Sequence, residues 1–236
     1  MRIIKEGLSF LLTFGTIFLV SFVLLNFSAF KTILQHYFTG EQKQEMMQES
    51  VEINYEKQAK KIQPVIPSKA KKLIKKVFPK LFLTVSPLDF RLVIPKIGKN
   101  VPIVKMSDNY ITEDFWGKFE KEAQTALKKG IVHYPGTALP GQVGNAFFTG
   151  HSSYYPWDDG AYKEVFANLN LLEKGDEYFV YLHQKKIKYK VIEKKEVKPY
   201  EVKILEQPED KKLSTLMTCW PLGTTLKRLI VVAEEV

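Results

Sequence analysis

The stretch LSTLMTCWPLGTTLKRLIVVA, residues 213–233, decides how this chain folds. Leu213 to Cys219 has the β-branched and apolar content of a strand, and the Trp220-Pro221 step follows directly. A second strand begins near Lys227 and runs to Ala233. The turn between them is short, so the two form a hairpin that brings Arg228 close to Cys219. Cys219 stands at a strand end, where the sheet holds the backbone rigid and the side chain meets the loop layer.

Upstream, YPGTALPGQVGNAFFTGHSS at residues 134–153 repeats this layout. Asn145 to Gly150 reads as a strand and His151 falls at its end. A thiol and an imidazole therefore leave strand ends, with a guanidinium on a neighbouring strand. Each has a task. A free thiol has a pKa near about 8.5 and needs a base or a cationic neighbour to react at neutral pH. Histidine can take the proton and later return it to a leaving amine. Arginine stays charged and can donate to a developing oxyanion or to substrate carbonyls.

Around these segments, residues 83–236 alternate short β-rich runs with turn residues. Expected strands are Arg91–Pro95, Val101–Lys105, Ile131–Tyr134, Asn145–Gly150, Glu177–His183, Lys186–Glu193, Leu213–Cys219 and Lys227–Ala233. Two helices are expected between them, Glu113–Lys128 with Thr112 as N-cap, and Ala161–Leu171 with Val165, Phe166 and Leu169 on one side. Many short strands with Gly, Pro and Asn turns argue for a barrel or a sandwich.

The N-terminal part has a different texture. Gly7 to Phe30 contains no charged side chain, and a bilayer core needs about 20 apolar residues. A cleavable signal peptide has a shorter apolar run and ends in a small-x-small site. Here Phe27 precedes Ser28-Ala29-Phe30, so the run reads as an uncleaved anchor. The expected division is a cytoplasmic tail at 1–6, a single membrane span at 7–30, an extracellular stalk at 31–82 and a folded domain at 83–236. In the stalk, residues 68–78 place Ala70, Leu73, Ile74, Val77 and Phe78 in one helical stripe among lysines. Such a helix can lie on anionic lipid or pack on the folded domain.

Cys219 is the only cysteine in the chain, so no intrachain disulfide is available. An exported protein normally pairs its cysteines or avoids them, which suggests a working thiol. A small buried hydrophobe is the other reading, and the count alone does not separate them. The net charge of +9 is almost wholly lysine, since the only arginines are Arg2, Arg91 and Arg228. No Arg cluster with interleaved aromatics occurs, which argues against a nucleic-acid partner and fits an anionic envelope surface.

The segment Thr215-Leu-Met-Thr-Cys219 matches the TLxTC signature of sortases, and an arginine follows on the next strand. His133-Tyr-Pro-Gly-Thr-Ala-Leu-Pro-Gly, Gly144-Asn and Gly150-His151 resemble the family's second landmark, and Ile94-Pro-Lys-Ile97 with Val101-Pro-Ile103 its first strand pair. The resemblance runs from about Arg91 to Val232. It implies an all-β-dominated domain, a closed eight-stranded barrel with a few short helices, behind the membrane helix and a polar, partly helical stalk. It also implies catalytic roles for Cys219 as nucleophile, His151 as acid and base, and Arg228 as stabiliser.

The implied reaction cuts an LPxTG-like sorting signal, holds the protein as a thioacyl enzyme and passes it to an amine. The expected partners are secreted proteins with a C-terminal sorting signal, a peptidoglycan precursor or pilin lysine as acceptor, and the lipid membrane. The N-terminal anchor and the lack of an Asp-Pro-aromatic lid motif point away from the pilin polymerases. No cofactor is expected: Asp158, Asp159 and Glu164 read as a solvated loop and helix start, not a calcium site. His133, His183, His36 and Arg91 are read as structural or surface residues. Trp220-Pro221 departs from the residues that most often follow the cysteine, which leaves the subclass open. Two other readings stand beside this one, an envelope cysteine peptidase using the same residues and a non-catalytic, membrane-tethered barrel that binds envelope polymers. An L,D-transpeptidase fits less well, because its arginine follows the cysteine almost directly.

Overall fold

The computed structural model describes residues 2–35, 37–38, 87–107, 115–155 and 157–236. Most of the expected stalk, including the stripe at 68–78, His36 and the N-cap candidate Thr112, lies outside them. Eight strands close into a barrel: β1 (Arg91–Ile94), β2 (Lys99–Lys105), β3 (Ile131–His133), β4 (Gly144–Thr149), β5 (Glu177–Leu182), β6 (Lys185–Val197), β7 (Lys212–Trp220) and β8 (Lys227–Glu235). Their order around the barrel is β1-β2-β3-β4-β7-β8-β6-β5. The pairs β2–β3 and β4–β7 are parallel and all the others, including the closing β1–β5 pair, are antiparallel.

Alternation along β7 and β8 separates inside from outside. Leu216, Leu229, Val231 and Ala233 belong to the core with Ala146 and Phe148 of β4. The intervening positions Thr215, Met217 and Cys219, with Arg228 and Ile230, take the opposite face, because successive side chains of a strand point to opposite sides. Inside, Tyr178 and Tyr189 stack with centroids 5.7 Å apart. Tyr178 donates to Ser214 O at 3.1 Å, and Tyr189 Oη accepts from Gly141 N at 3.0 Å, so both buried hydroxyls have partners. Each large apolar side chain taken from water here contributes about 1.5–3 kcal/mol.

Helix α1 (Arg2–Leu25) is the expected apolar segment, with a span-length window at Glu6–Leu25. The uncharged run does not form one unbroken helix. A turn falls at Asn26, and helical residues resume at 27–35. Helix α2 (Phe115–Leu127) forms within the expected Glu113–Lys128, and Ala126 and Leu127 pack in a small second core with Met106 and Val132.

The second expected helix, Ala161–Leu171, is not an α-helix. Turns occupy most of it, and only Leu169–Leu171 forms a single 3-10 turn. Its amides find other partners: Ala161 N bonds Lys128 O, Phe166 N bonds His151 O, and Ala167, Leu169 and Leu171 bond carbonyls three residues back. Asn168 and Asn170 add weak helix propensity. The apolar side chains of Val165, Phe166 and Leu169 join the barrel core from this irregular backbone instead of from one helical face. The strand expected through His183 stops at Leu182, and His183 and Gln184 form the turn with φ of 49° and 64°. Strand β6 runs beyond the expected Glu193 to Val197, because β8 supplies ladder partners up to Arg228 across a bulge at Val191/Glu193.

Candidate active site

Strands β4 and β7 form a parallel seam with Thr149 opposite Met217. Gly150 N bonds Met217 O at 3.2 Å, and Thr218 Oγ1 donates to Gly150 O at 2.8 Å. Continuing that register by two residues sets His151 across from Cys219. Parallel neighbours lie about 4.8 Å apart, so the chain leaving β4 at His151 and the end of β7 at Cys219 come to the same end of the seam. On the other flank, Cys219 is the direct antiparallel partner of Arg228. Side chains of such a pair share one face. Cys219 and Arg228 thus share one face of adjacent strands, and His151 follows two residues after the neighbouring strand β4 ends.

The threonines of the TLMTC segment explain themselves physically. Thr215 Oγ1 donates to Asn145 Oδ1 at 2.8 Å, and both residues are buried. Asn145 Nδ2 in turn donates to Ile204 O, and Gln207 Oε1 accepts from Asn145 N at 2.9 Å and Ala138 N at 3.1 Å. Thr218 makes the second tie, to Gly150. The motif therefore binds the cysteine's strand to the histidine's strand at two levels. Gly150 contributes by what it lacks. A Cβ there would fall 2.8 Å from both Phe166 Cδ2 and Val165 Cγ1, so the core fills that side and pushes the chain outward at His151.

His151 is further held by its own carbonyl, which accepts from Phe166 N at 2.9 Å. Its ring stacks on Tyr154 with centroids 4.4 Å apart and planes at 28°. Tyr154 leads to Tyr155 at 5.2 Å and on to Trp157 at 5.0 Å, an aromatic run whose outer members are exposed. Burial pushes the imidazole below the ordinary histidine range, and the Asp158 carboxylate opposes this by favouring the charged form. The neutral ring is the form able to accept a proton. Asp158 itself is held low by the Gly160 amide and by Lys128, 3.0 Å away.

Cys219 is a partly exposed free thiol. Arg228 Nη1 donates to Thr225 O at 3.1 Å and Lys227 O at 3.0 Å, which fixes one arm of the guanidinium against the β7–β8 turn. Next to it, Glu196 accepts from Trp220 Nε1 at 2.9 Å and from Lys227 Nζ at 2.7 Å, bracing both strands of the hairpin from β6.

The remaining residues weighed from sequence lie elsewhere. His133 is buried between Phe90 and Phe148, with Nε2 2.9 Å from Ala138 O. Arg91 pairs with Asp89 and bonds Asn100, and His183 is an exposed turn residue. Asp158 and Asp159 both pair with Lys128, while Glu164 Oε1 accepts from Ser28 at 3.0 Å. Among the described residues, no group of three or more His, Cys, Asp or Glu is placed to hold a metal ion. Sequence reasoning missed Tyr154 and the Asn145–Thr215 tie. A dense aromatic cluster beginning three residues after His151 was the available signal for the first, and nothing local announces the second.

Comparison with known proteins supports the fold and identifies the family. Residues 92–236 match the sortase domain family model. Sortase D of Bacillus subtilis (strain 168) is 28% identical over 148 residues, 61% of this chain and 62% of that protein, so the match spans about three fifths of the relative's length. Among solved structures, sortase C-1 from Actinomyces oris is 29% identical with a TM-score of 0.52, over 74% of this chain and 85% of that one. A pilus-related sortase C of Group B Streptococcus is 28% identical with a TM-score of 0.51, over 66% and 70%. With the barrel, the strand-end cysteine and a family model covering well over half its length, the chain belongs to the sortase family, a family of cysteine transpeptidases.

Proposed function

We propose that the chain is a membrane-anchored transpeptidase that cleaves an LPxTG-like sorting signal and transfers the protein to an amine of the cell envelope. The observation that supports this reading is the pairing of Cys219 with Arg228 on one face, beside the β4–β7 seam whose chain reaches His151 two residues on. In the acylation step the Cys219 sulfur attacks the carbonyl carbon of the scissile peptide bond, and its proton passes to His151. Arg228 donates to the oxyanion that forms. The imidazolium returns the proton to the departing amine nitrogen as the C–N bond breaks, leaving a thioester on Sγ. An incoming amine then attacks the thioester and loses a proton to His151, which returns it to the released thiolate.

Helix α1 is read as a single membrane span with the N-terminus cytoplasmic and the barrel outside, facing secreted substrates. The acceptor is a peptidoglycan precursor amine or a pilin lysine. The test incubates the full chain, in detergent, with LPxTG-variant peptides and triglycine, and follows products by mass spectrometry. The expected result is a thioacyl adduct on Cys219 and a new amide with triglycine. Turnover surviving Cys219→Ala overturns the proposal. Release of free acid with no amide, even at saturating triglycine, assigns hydrolysis to the same residues instead. Arg228→Lys is expected to lose about 10²–10³ in kcat, as removal of an oxyanion donor does elsewhere, because a point charge cannot replace the planar fork.

A further inference from the structure

The end of the anchor helix is packed on the catalytic barrel. A Cβ built on Gly223, in the β7–β8 turn, would fall 2.6 Å from Asn26 Oδ1, so only a glycine there admits this approach without displacing Asn26. Two residues on, Ser28 Oγ donates to Glu164 Oε1 at 3.0 Å. Ala29 is 2% exposed, although it follows a helix whose apolar side chains are open. Asn168 Nδ2 reaches Thr32 O at 3.4 Å, from a residue that is itself 1% exposed. These contacts are spread over residues 26–32 and meet two separate parts of the barrel, the turn that joins Cys219 to Arg228 and the segment packed under His151.

The position of this dock relative to a bilayer follows from length. The Glu6–Leu25 window has 20 residues, which at about 1.5 Å per residue span about 30 Å, the thickness of the hydrocarbon core. Asn26 is the first residue beyond it and so lies in the headgroup layer, about 5–8 Å deep on each side. Whatever touches Asn26 lies at the same depth, whether or not the helix is tilted. Gly223 does, and three residues further along the same turn Leu226 is 72% exposed.

We propose that the β7–β8 turn is a membrane-contact surface, seated in the lipid headgroup layer by the docked segment Asn26–Thr32 with Leu226 directed at lipid. This rests on the reading of α1 as a membrane span. It changes the place of the thiol: Cys219 works at the bilayer surface, four residues from the contact at Gly223. A peptide tethered to the same leaflet meets Cys219 without leaving the headgroup layer.

The test uses the full chain with Cys219→Ala, which removes the native thiol, in nanodiscs of phosphatidylcholine and phosphatidylglycerol. First, Ser28→Cys with Glu164→Cys is treated with a short bismaleimide, beside Ser28→Cys with Gln184→Cys, at the far end of β6. Efficient linking of the first pair alone is expected; linking of both or neither overturns the dock. Second, an NBD label at Leu226→Cys is read against spin-labelled lipids. A blue-shifted emission quenched by headgroup-level labels is expected, with the quenching lost when Ala29→Asp is added. Water-like emission at 226, equal to a label at Gln184→Cys, overturns the contact. A label at Phe14→Cys separates the two readings. Quenching by deep acyl-chain labels at 14 with none at 226 refutes the contact and leaves the anchor standing. No quenching at either position refutes the anchor reading and the contact with it.

Discussion

Two regions build the histidine's environment, and they are made of opposite materials. The β4–β7 seam is buried and tied by short polar bonds, Thr215 to Asn145 and Thr218 to Gly150, with core atoms packed where Gly150 has no side chain. The loop from Tyr154 to Gly160 is open, with Tyr155 and Trp157 exposed and its carboxylates paired to a surface lysine. The seam leads the chain to His151; in the loop, Tyr154 stacks on the ring and Asp158 favours its charged form against the effect of burial. Position in a low-dielectric seam is intolerant of change, because each buried polar group left unpaired costs its full desolvation. Exposed charges act through solvent and are worth less.

That contrast is broken most severely at Gly150. Gly150→Ala places a methyl in contact with Phe166 and Val165. A displacement of about 1 Å at a catalytic group can cost about 10²-fold, and kcat/KM for the sorting peptide is expected to fall by at least that much. Overpacking of about 1–3 kcal/mol should also lower the denaturation midpoint. A variant with normal kcat/KM would show that the seam does not position His151.

A smaller break is Thr215→Val, which keeps the shape and leaves Asn145 Oδ1 without this donor. The buried acceptor costs about 1–3 kcal/mol, and at about 2–4 °C per kcal/mol for a domain of this size Tm should drop by about 2–12 °C. Calorimetry decides. An unchanged Tm would remove the tie from the account of the motif.

The loop is sharpened by two substitutions with opposite signs. The imidazole is held low by burial and raised by Asp158. Tyr154→Ala uncovers the ring, so its pKa rises toward the ordinary value. The acid limb of the pH–kcat/KM profile, where His151 becomes protonated and useless as a base, should then move to higher pH, with about a 10-fold loss on the plateau. Tyr154→Phe keeps the stack and should restore both. Asp158→Asn removes the attraction that favours the imidazolium, so the limb moves to lower pH with the plateau within about 2-fold. Shifts of the same sign in both variants would reject the assignment of causes.

Part of this was legible in the residues alone. The strand-end placing of Cys219 and His151 and the hairpin that pairs Arg228 follow from period-two alternation and turn residues, which are local signals. The failures were local too. Ala161–Leu171 has helix-like apolar spacing, but its amides bond Lys128 O, His151 O and carbonyls three residues back. His183 and Gln184 form a tight turn with no Gly or Asn to announce it. The Asn145–Thr215 tie and the Tyr154 stack join residues whose partners depend on strand order around the barrel, and β4 pairs with β7 over nearly seventy intervening positions.

The sequence by itself determined the chemistry: one thiol, a histidine and an arginine each at a strand terminus, and an apolar helix long enough to cross a bilayer. Those are properties of composition and short-range pattern, which a chain carries before it folds. Tertiary structure alone decided that the parallel β4–β7 pairing leads the chain at His151 to the end of the seam where Cys219 lies, that the core refuses a side chain at Gly150, and that Asn26 meets Gly223. Such contacts arise from barrel closure, where the register of distant strands and the packing of the interior select one arrangement from many that the local pattern permits.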